Sequence, residues 1–282
     1  MLKNIVVLYH NQCWDGFGSA WAAWKKFGSR ADYIGVEHQV LPPKGLKGKD
    51  LYLVDFCYDE PVLKKLVKNN KKVVVIDHHV SKKDVLKYAT ESVYGTNHSG
   101  SVLTWKYFNP SKPIPALLRY VEDNDLWKFK MKGAKSIMLA VDQFPYEFKK
   151  WDWIAKEIEI PKKRRVYYDK GEAILNYVKG MVKEIADIAD LVKFEGYKVL
   201  AVNAPRFLRS DLGNKLVERK YPFGITWYIK GKEVHVSLRS DGTVDVSKIC
   251  EKYGGGGHKK AAGFTFMIKS KNEFPWKIID IK

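Results

Sequence analysis

Cysteine is scarce in this chain. Its 282 residues hold three, Cys13, Cys57 and Cys250, with no Cys-x-x-Cys pair, which excludes a disulfide framework and the common zinc spacing. Long apolar runs are missing as well: none approaches the ~18–20 residues that a membrane span needs. The opening Met1-Leu-Lys-Asn-Ile-Val-Val-Leu-Tyr9 has no small-residue cleavage site and reads as a first strand, not a signal peptide. Free thiols and no span or leader lead us to expect a cytoplasmic protein with no membrane partner. Acidic residues are the third shortage, 32 against 50 Lys and Arg, a formal net charge of +18. An excess of this sign favours polyanionic partners through steering and counterion release. A solvated, Lys-rich surface is the plainer alternative. Neither internal repeats nor low-complexity tracts occur, so the chain is an ordinary globular one, long enough for two cores.

What is present centres on Lys72-Val-Val-Val-Ile-Asp77-His78-His79-Val80. A short run of β-branched residues predicts a strand buried on both faces. It ends in an acid and two imidazoles, groups that are costly to bury unless paired or metal-bound. A capped turn with two solvated histidines is the alternative, and the other ligands along the chain argue against it.

Two further strands end in the same kind of residue. Ile5–Tyr9 runs into a loop carrying His10, Cys13 and Asp15, followed by a helix stopped by Gly28, and Asp50–Asp55 closes on a carboxylate. Ala31–Val36 is a strand between them, and Asp59-Glu60-Pro61 opens a helix to about Asn69. Alternating strands and helices predict a parallel sheet. In such a sheet the carboxyl ends share one edge, where open α/β folds keep their sites. Downstream, Thr96–Ser101 precedes an apolar helix, and a helix from Ala116 leads into Glu122-Asp123-Asn-Asp125. These acids suit a helix C-terminal turn in isolation. Beside the other ligands, one of them is a candidate to close a metal site.

Residues 130–165 predict covering helices, and the spacing of Ile174, Val178, Met181, Ile185 and Ile188 predicts a long amphipathic helix from about Tyr168 to Leu191. After Gly196 the pattern changes to strands, with a hairpin over Phe223–Arg239. A short helix then leads to Gly254-Gly-Gly-Gly257-His258-Lys-Lys-Ala-Ala-Gly263-Phe264. Consecutive glycines beside His258, Lys259 and Lys260 suit an anion nest. A flexible linker is the alternative, though the setting between helix and strand does not suit one.

Taken together, the Asp77-His78-His79 strand end, the His10/Asp15 loop and the Gly254–Phe264 motif resemble the DHH phosphoesterase superfamily with a C-terminal DHHA1 domain. That group includes RecJ-like exonucleases, nanoRNA oligoribonucleases and pAp phosphatases. The resemblance implies an α/β fold: an N-terminal parallel-sheet DHH domain over residues 1–165, a helical linker over 166–195, and a smaller α/β DHHA1 domain over 196–282 that grips the substrate across a cleft. It implies one or two Mn²⁺ ions, with Mg²⁺ or Zn²⁺ as alternatives. The ligands would be His10, Asp15, a bridging Asp55, His78 and Asp123, with Asp125 the alternative for the last place. Asp77 would orient the imidazoles and His79 would face the substrate as a proton donor or phosphate contact. Arg239 with Gly255, Gly256, Gly257 and His258 would hold a phosphate or terminal nucleotide.

One departure stands out, since the family's first motif usually offers Asp-x-Asp and this chain lacks one of those acids. Cys13 replaces the first if Asp15 is the second; otherwise Phe17 replaces the second. A thiolate is softer than a carboxylate and favours Zn²⁺ over Mn²⁺; as a small buried hydrophobe Cys13 would hold no ion. The expected activity is metal-dependent phosphodiester hydrolysis from the end of a short single-stranded oligonucleotide, by a nanoRNase or exonuclease-like enzyme. A hydrolase for pAp, pyrophosphate or polyphosphate and a catalytically weakened nucleic-acid-binding protein are the alternatives, and a homodimer is left open.

Overall fold

The computed structural model describes residues 2–37, 40–268 and 274–280. It divides into two compact units, Met1–Leu175 and Asn176–Lys282.

In the first unit the strands are β1 (Ile5–His10), β2 (Ala31–Val36), β3 (Asp50–Val54), β4 (Lys72–Asp77) and β5 (Glu91–Tyr94). All pair in parallel, in the order β2-β1-β3-β4-β5. The period of two in each strand sends alternate residues to opposite faces. Val6, Leu8, Leu51, Leu53, Val73 and Val75 pack with Leu63 and Leu66 of α2 (Glu60–Asn69). On the other side Val7, Val54, Val74 and Ile76 pack with Ala23 of α1 (Trp14–Phe27) and with Leu103 and Phe108 of α3 (Gly100–Phe108). Both faces are thus covered, which is why these strands read as continuous apolar runs. Chain order departs from β1 in both directions, toward β2 and toward β3. The switch point of the sheet, where a crevice opens at the carboxyl ends, therefore lies between β1 and β3.

A further helical layer comprises α4 (Ala116–Asp125), α5 (Ala134–Val141) and α6 (Phe148–Glu159). It closes over α1 and α3 around fully buried Trp151 and the stacked pair Trp21 and Trp105, 5.5 Å between centroids. Of these, α5 and α6 are the covering helices expected over 130–165. The long amphipathic helix is α7 (Pro161–Asp187), which begins at Pro161 instead of about Tyr168 and stops short of Leu191. Its Val182 and Ala186 already belong to a core of the second unit.

The second unit holds β6 (Asp190–Phe194), β7 (Tyr197–Asn203), α8 (Arg209–Val217), β8 (Phe223–Lys230), β9 (Glu233–Ser240), α9 (Val246–Glu251), β10 (Gly256–His258), β11 (Ala261–Met267) and β12 (Lys277–Asp280). Its sheet runs β10-β11-β9-β8-β7-β6-β12 and is antiparallel except for the β7–β8 pair. The sheet thus begins at Asp190, inside the stretch expected to be linker. Gly256–His258 forms an edge strand paired with Ala261–Gly263 instead of an open loop. A Cβ at Gly255 would stand 2.2 Å from the Gly263 carbonyl oxygen, so close chain-to-chain packing explains that glycine.

Candidate metal centre

The carboxyl ends of β1, β3 and β4 meet at the switch point. Asp55, which follows β3, adopts the left-handed region at φ 61°, a conformation that Asp tolerates better than most residues. The turn sends its carboxylate into the protein, where it is 1% exposed. Asp15 comes from the first turn of α1, equally buried. Its Oδ2 accepts from the Gly100 amide at 2.6 Å and its Oδ1 from the Ser101 amide at 3.0 Å, at the start of α3. Two amides at a helix N-terminus favour a charged acceptor. Burial opposes the charge, but bonds from Asp55, the Ser101 and Ser99 side chains and the charge of His78 outweigh it and hold the Asp15 carboxyl below its ordinary value. Asp55 moves the other way, well above its ordinary value, through burial and then the Asp15 charge. Two buried acids this close share one negative charge more readily than two.

His78 Nε2 lies 3.3 Å from Asp55 Oδ1, 3.6 Å from Asp125 Oδ2 and 3.7 Å from Asp15 Oδ2, and His10 Nδ1 lies 3.7 Å from Asp55 Oδ2. Asp55 Oδ1, His78 Nε2 and Asp125 Oδ2 are all buried and without a hydrogen-bond partner. Groups of this kind are normally satisfied. Donor atoms held about 2.1 Å from a common cation stand roughly 3.0–4.2 Å apart, the spacing found here. Among the described residues, three sets have donor atoms that all lie within 4.8 Å of one another: His10, Cys13 and Asp55; Asp55, His78 and His79; and Asp15, His78 and Asp125. Because Asp55 and His78 are shared between sets, the residues fit two adjacent divalent cations. Mostly oxygen and imidazole donors suit Mn²⁺ or Mg²⁺, and Cys13 adds one softer position. Burial, followed by the Asp15 charge, pushes the Cys13 thiol up to about 12; only a bound cation would make it a thiolate.

Asp77 has another task. Its Oδ1 accepts from the amides of His78 and His79, at 2.8 and 3.2 Å, and meets His79 Nδ1 at 2.7 Å. Burial disfavours the imidazolium, but the Asp77 carboxylate outweighs it and holds His79 above the ordinary histidine value. Asp77 thus fixes the orientation of the His79 ring.

The two acids at the end of α4 divide. Asp125, not Asp123, joins the group around His78. Asp123 is 4% exposed and its two oxygens accept from the amides of Lys130 and Met131, each at 3.0 Å, so it anchors the loop after the helix. Two residues along a helix differ by about 200° in direction, and only one can face the crevice. Gly100 was not singled out from the sequence, yet a Cβ there would sit 2.7 Å from Asp55 and 3.0 Å from Asp15 Oδ2. A Ser-Gly-Ser opening to an apolar helix was the available signal.

In the second unit, Arg239 donates to Ser210 Oγ at 2.8 Å and to the Leu238 carbonyl at 3.0 Å. Burial and then the Arg209 charge push it below the ordinary arginine value, and Arg209 is lowered in turn by burial and Arg206. Neither Arg209 nor Arg239 pairs with a carboxylate among the described residues. Half-buried guanidinium groups with no counter-charge are suited to an anion. Arg239 is the residue expected from sequence; Arg209 is additional, hidden because a lone Arg before a helix carries no pattern.

Residues 214–279 match the family model of the DHHA1 domain. An uncharacterized protein of Acanthamoeba polyphaga mimivirus is 31% identical over 288 residues, covering 93% of this chain and 67% of the relative. The chain belongs to one family with that relative and carries a DHHA1 domain. Its Asp77-His78-His79 motif closes the central strand β4, and the DHHA1 match falls in the second unit. Solved structures with the same fold include RecJ from Thermus thermophilus with Mn²⁺, at 14% identity, TM-score 0.54, covering 94% of this chain and 49% of RecJ. The pGpG-specific phosphodiesterase PggH from Vibrio cholerae is another, at 13% identity and TM-score 0.52 over 95% of this chain and 94% of PggH. The chain thus spans about half the length of RecJ and nearly all that of PggH. No helix among the described residues is long and apolar enough to cross a membrane.

Proposed function

We propose that this DHH protein is a Mn²⁺-dependent phosphodiesterase that removes residues from the end of short single-stranded oligonucleotides. The observation that carries the metal dependence is the convergence of the partnerless buried atoms Asp55 Oδ1, His78 Nε2 and Asp125 Oδ2. Held there, divalent cations supply an activated water and neutralise phosphoryl oxygens. The chain's own contribution begins with Asp15, whose carboxylate accepts from the α3 amides, and the neighbouring Asp55, which would join it in holding a cation. His79, positioned by Asp77, holds a proton at Nε2 for a leaving alkoxide. Arg209 and Arg239 supply an anion site for a phosphate in the second unit. The basic excess of the chain supports a polyanionic substrate, and the likeness to RecJ and to a pGpG phosphodiesterase supports a nucleotide ester over pyrophosphate or polyphosphate.

The test is product analysis of end-labelled oligonucleotides, from the dinucleotide upward, with Mn²⁺, Mg²⁺ and Zn²⁺ in turn. Stepwise shortening with Mn²⁺, reduced at least about 100-fold in Asp55→Asn, is expected, since metal stabilisation of the transition state is worth several kcal/mol. Asparagine keeps the left-handed turn open to the variant. Full activity of that variant, or hydrolysis of polyphosphate alone, would overturn the proposal.

A further inference from the structure

The first turns of α7 hold Lys162-Lys163-Arg164-Arg165 with no acid among them. That is the wrong sign for a helix N-terminus, where the macrodipole is already positive. Lys163 pairs with Glu157 of α6 and Arg165 with Asp169 one turn on, which leaves Lys162 and Arg164 without a carboxylate partner among the described residues. Helical spacing spreads these residues over two adjacent faces. Lys163, Val166, Tyr167 and Lys170 line one groove, together with Phe144, Trp153 and a Glu157 carboxylate that accepts from Lys163 and Tyr167, around a cavity of about 260 Å³. Pro161, Arg164, Arg165 and Tyr168 line the other, of about 270 Å³, together with Tyr120 and Lys132. Positions i, i+3, i+4 and i+7 recur in each set, so each groove follows one face of the helix. All of these residues lie in the first unit.

Each groove combines cations with aromatic rings. Trp153 is 44% exposed and Val166 50% exposed; the Lys150 ammonium stands 4.9 Å from the Trp153 ring centre, and the Arg165 guanidinium 5.0 Å from that of Tyr168. Lys162 and Lys170 have no ion-pair partner among the described residues. Both cavities are smaller than the roughly 300–1,000 Å³ of sites that enclose a drug-sized ligand, so they suit single planar groups entering from a strand that runs along the surface. Positive charge tracking a backbone, with rings at intervals to stack on bases, is how single strands are held without sequence preference.

We infer that the two faces of α7 form a docking surface for single-stranded nucleic acid, separate from the metal centre. A duplex, whose bases are already stacked, has no use for the exposed rings. As an anchor for the far part of a longer substrate the surface rests on the phosphodiesterase reading; as a binding surface it stands without it.

The experiment measures fluorescence anisotropy of a labelled 15-mer single strand, the same 15-mer as duplex, and a labelled trinucleotide, with EDTA present so that nothing is cleaved. The wild type is expected to prefer the 15-mer single strand over both others. Binding should weaken about tenfold in Trp153→Ala, the loss of one stacked base, and by a similar factor in Lys163→Gln/Lys170→Gln. Trp153→Phe, which keeps a ring, should retain most of the affinity, and melting curves check that each variant is folded. With Mn²⁺, trinucleotide hydrolysis should be unchanged in all three. Unaltered 15-mer binding in the variants, or a duplex bound as well as the single strand, overturns the inference. A protein that binds the 15-mer as described yet hydrolyses no phosphoester would overturn only the phosphodiesterase reading.

Discussion

A Cβ placed on Gly100 would stand 2.7 Å from both the Cβ and Oδ1 of Asp55. The bare backbone at the start of α3 is therefore what lets two buried carboxylates approach one another. Gly100→Ala should displace Asp55, costing about 1–3 kcal/mol of stability by overpacking and lowering Mn²⁺ affinity more than the loss of stability explains. Titration calorimetry with Mn²⁺ beside thermal melting checks this; wild-type affinity in the variant would contradict it.

Asp123 and Asp125 should respond in opposite ways. Asp123→Asn sets an amide group against the Lys130 and Met131 amides and should cost about 1–3 kcal/mol, as unsatisfied buried polar groups do, while the folded protein still binds metal. Asp125→Asn puts a neutral amide where the metal-free protein holds a protonated carboxyl below about pH 8 and should leave that protein at least as stable, with activity down about 100-fold or more. Melting curves and steady-state rates on the two variants separate the roles.

Cys13 occupies a place next to His10 and Asp55 in one donor set. A carboxylate is the harder ligand, so Cys13→Asp should raise activity with Mn²⁺ relative to Zn²⁺, and Cys13→Ser should weaken Zn²⁺ binding with less effect on Mn²⁺. Rates across the two metals at matched free concentration decide it; an unchanged ratio in both variants would exclude Cys13 from the coordination shell.

Burial and the Asp15 charge push the Asp125 carboxyl up to about 8, whereas an unfolded Asp titrates near ~3.9. Between those values the folded, metal-free protein holds a proton that the unfolded chain has released. Stability from this group is therefore lost as pH rises through that window. In EDTA, the melting temperature of wild type should fall relative to that of Asp125→Asn from pH 5 to pH 8. Mn²⁺ takes the proton's place, so its stabilising effect on wild type should grow over the same range. A pH-independent gap between the two proteins would refute the assignment.

The metal centre was largely legible because strand ends are. Runs such as Val73–Ile76 are buried on both faces, and the polar residue that terminates each must lie at the sheet's edge. The choice between Asp123 and Asp125 was not legible, since it depends on the rotation of α4 against its neighbours. β5 escaped notice because Glu91–Tyr94 is short and only half-buried at a sheet edge. β6 was absorbed into the preceding helix because Ile185 and Ile188 continue its apolar spacing, although Ile188 is 73% exposed. Arg209 and Gly100 act through neighbours far along the chain, which no local pattern records.

The run Gly254–Gly257 looks like slack. Its second and fourth members have no room for a methyl group: Gly255 abuts Gly263 and Phe264, and Gly257 abuts Ala261 and Ala262. The turn ahead of the edge strand is thus among the least forgiving stretches of the second unit, and mutational scanning there would register intolerance to alanine where a hinge would have shrugged it off.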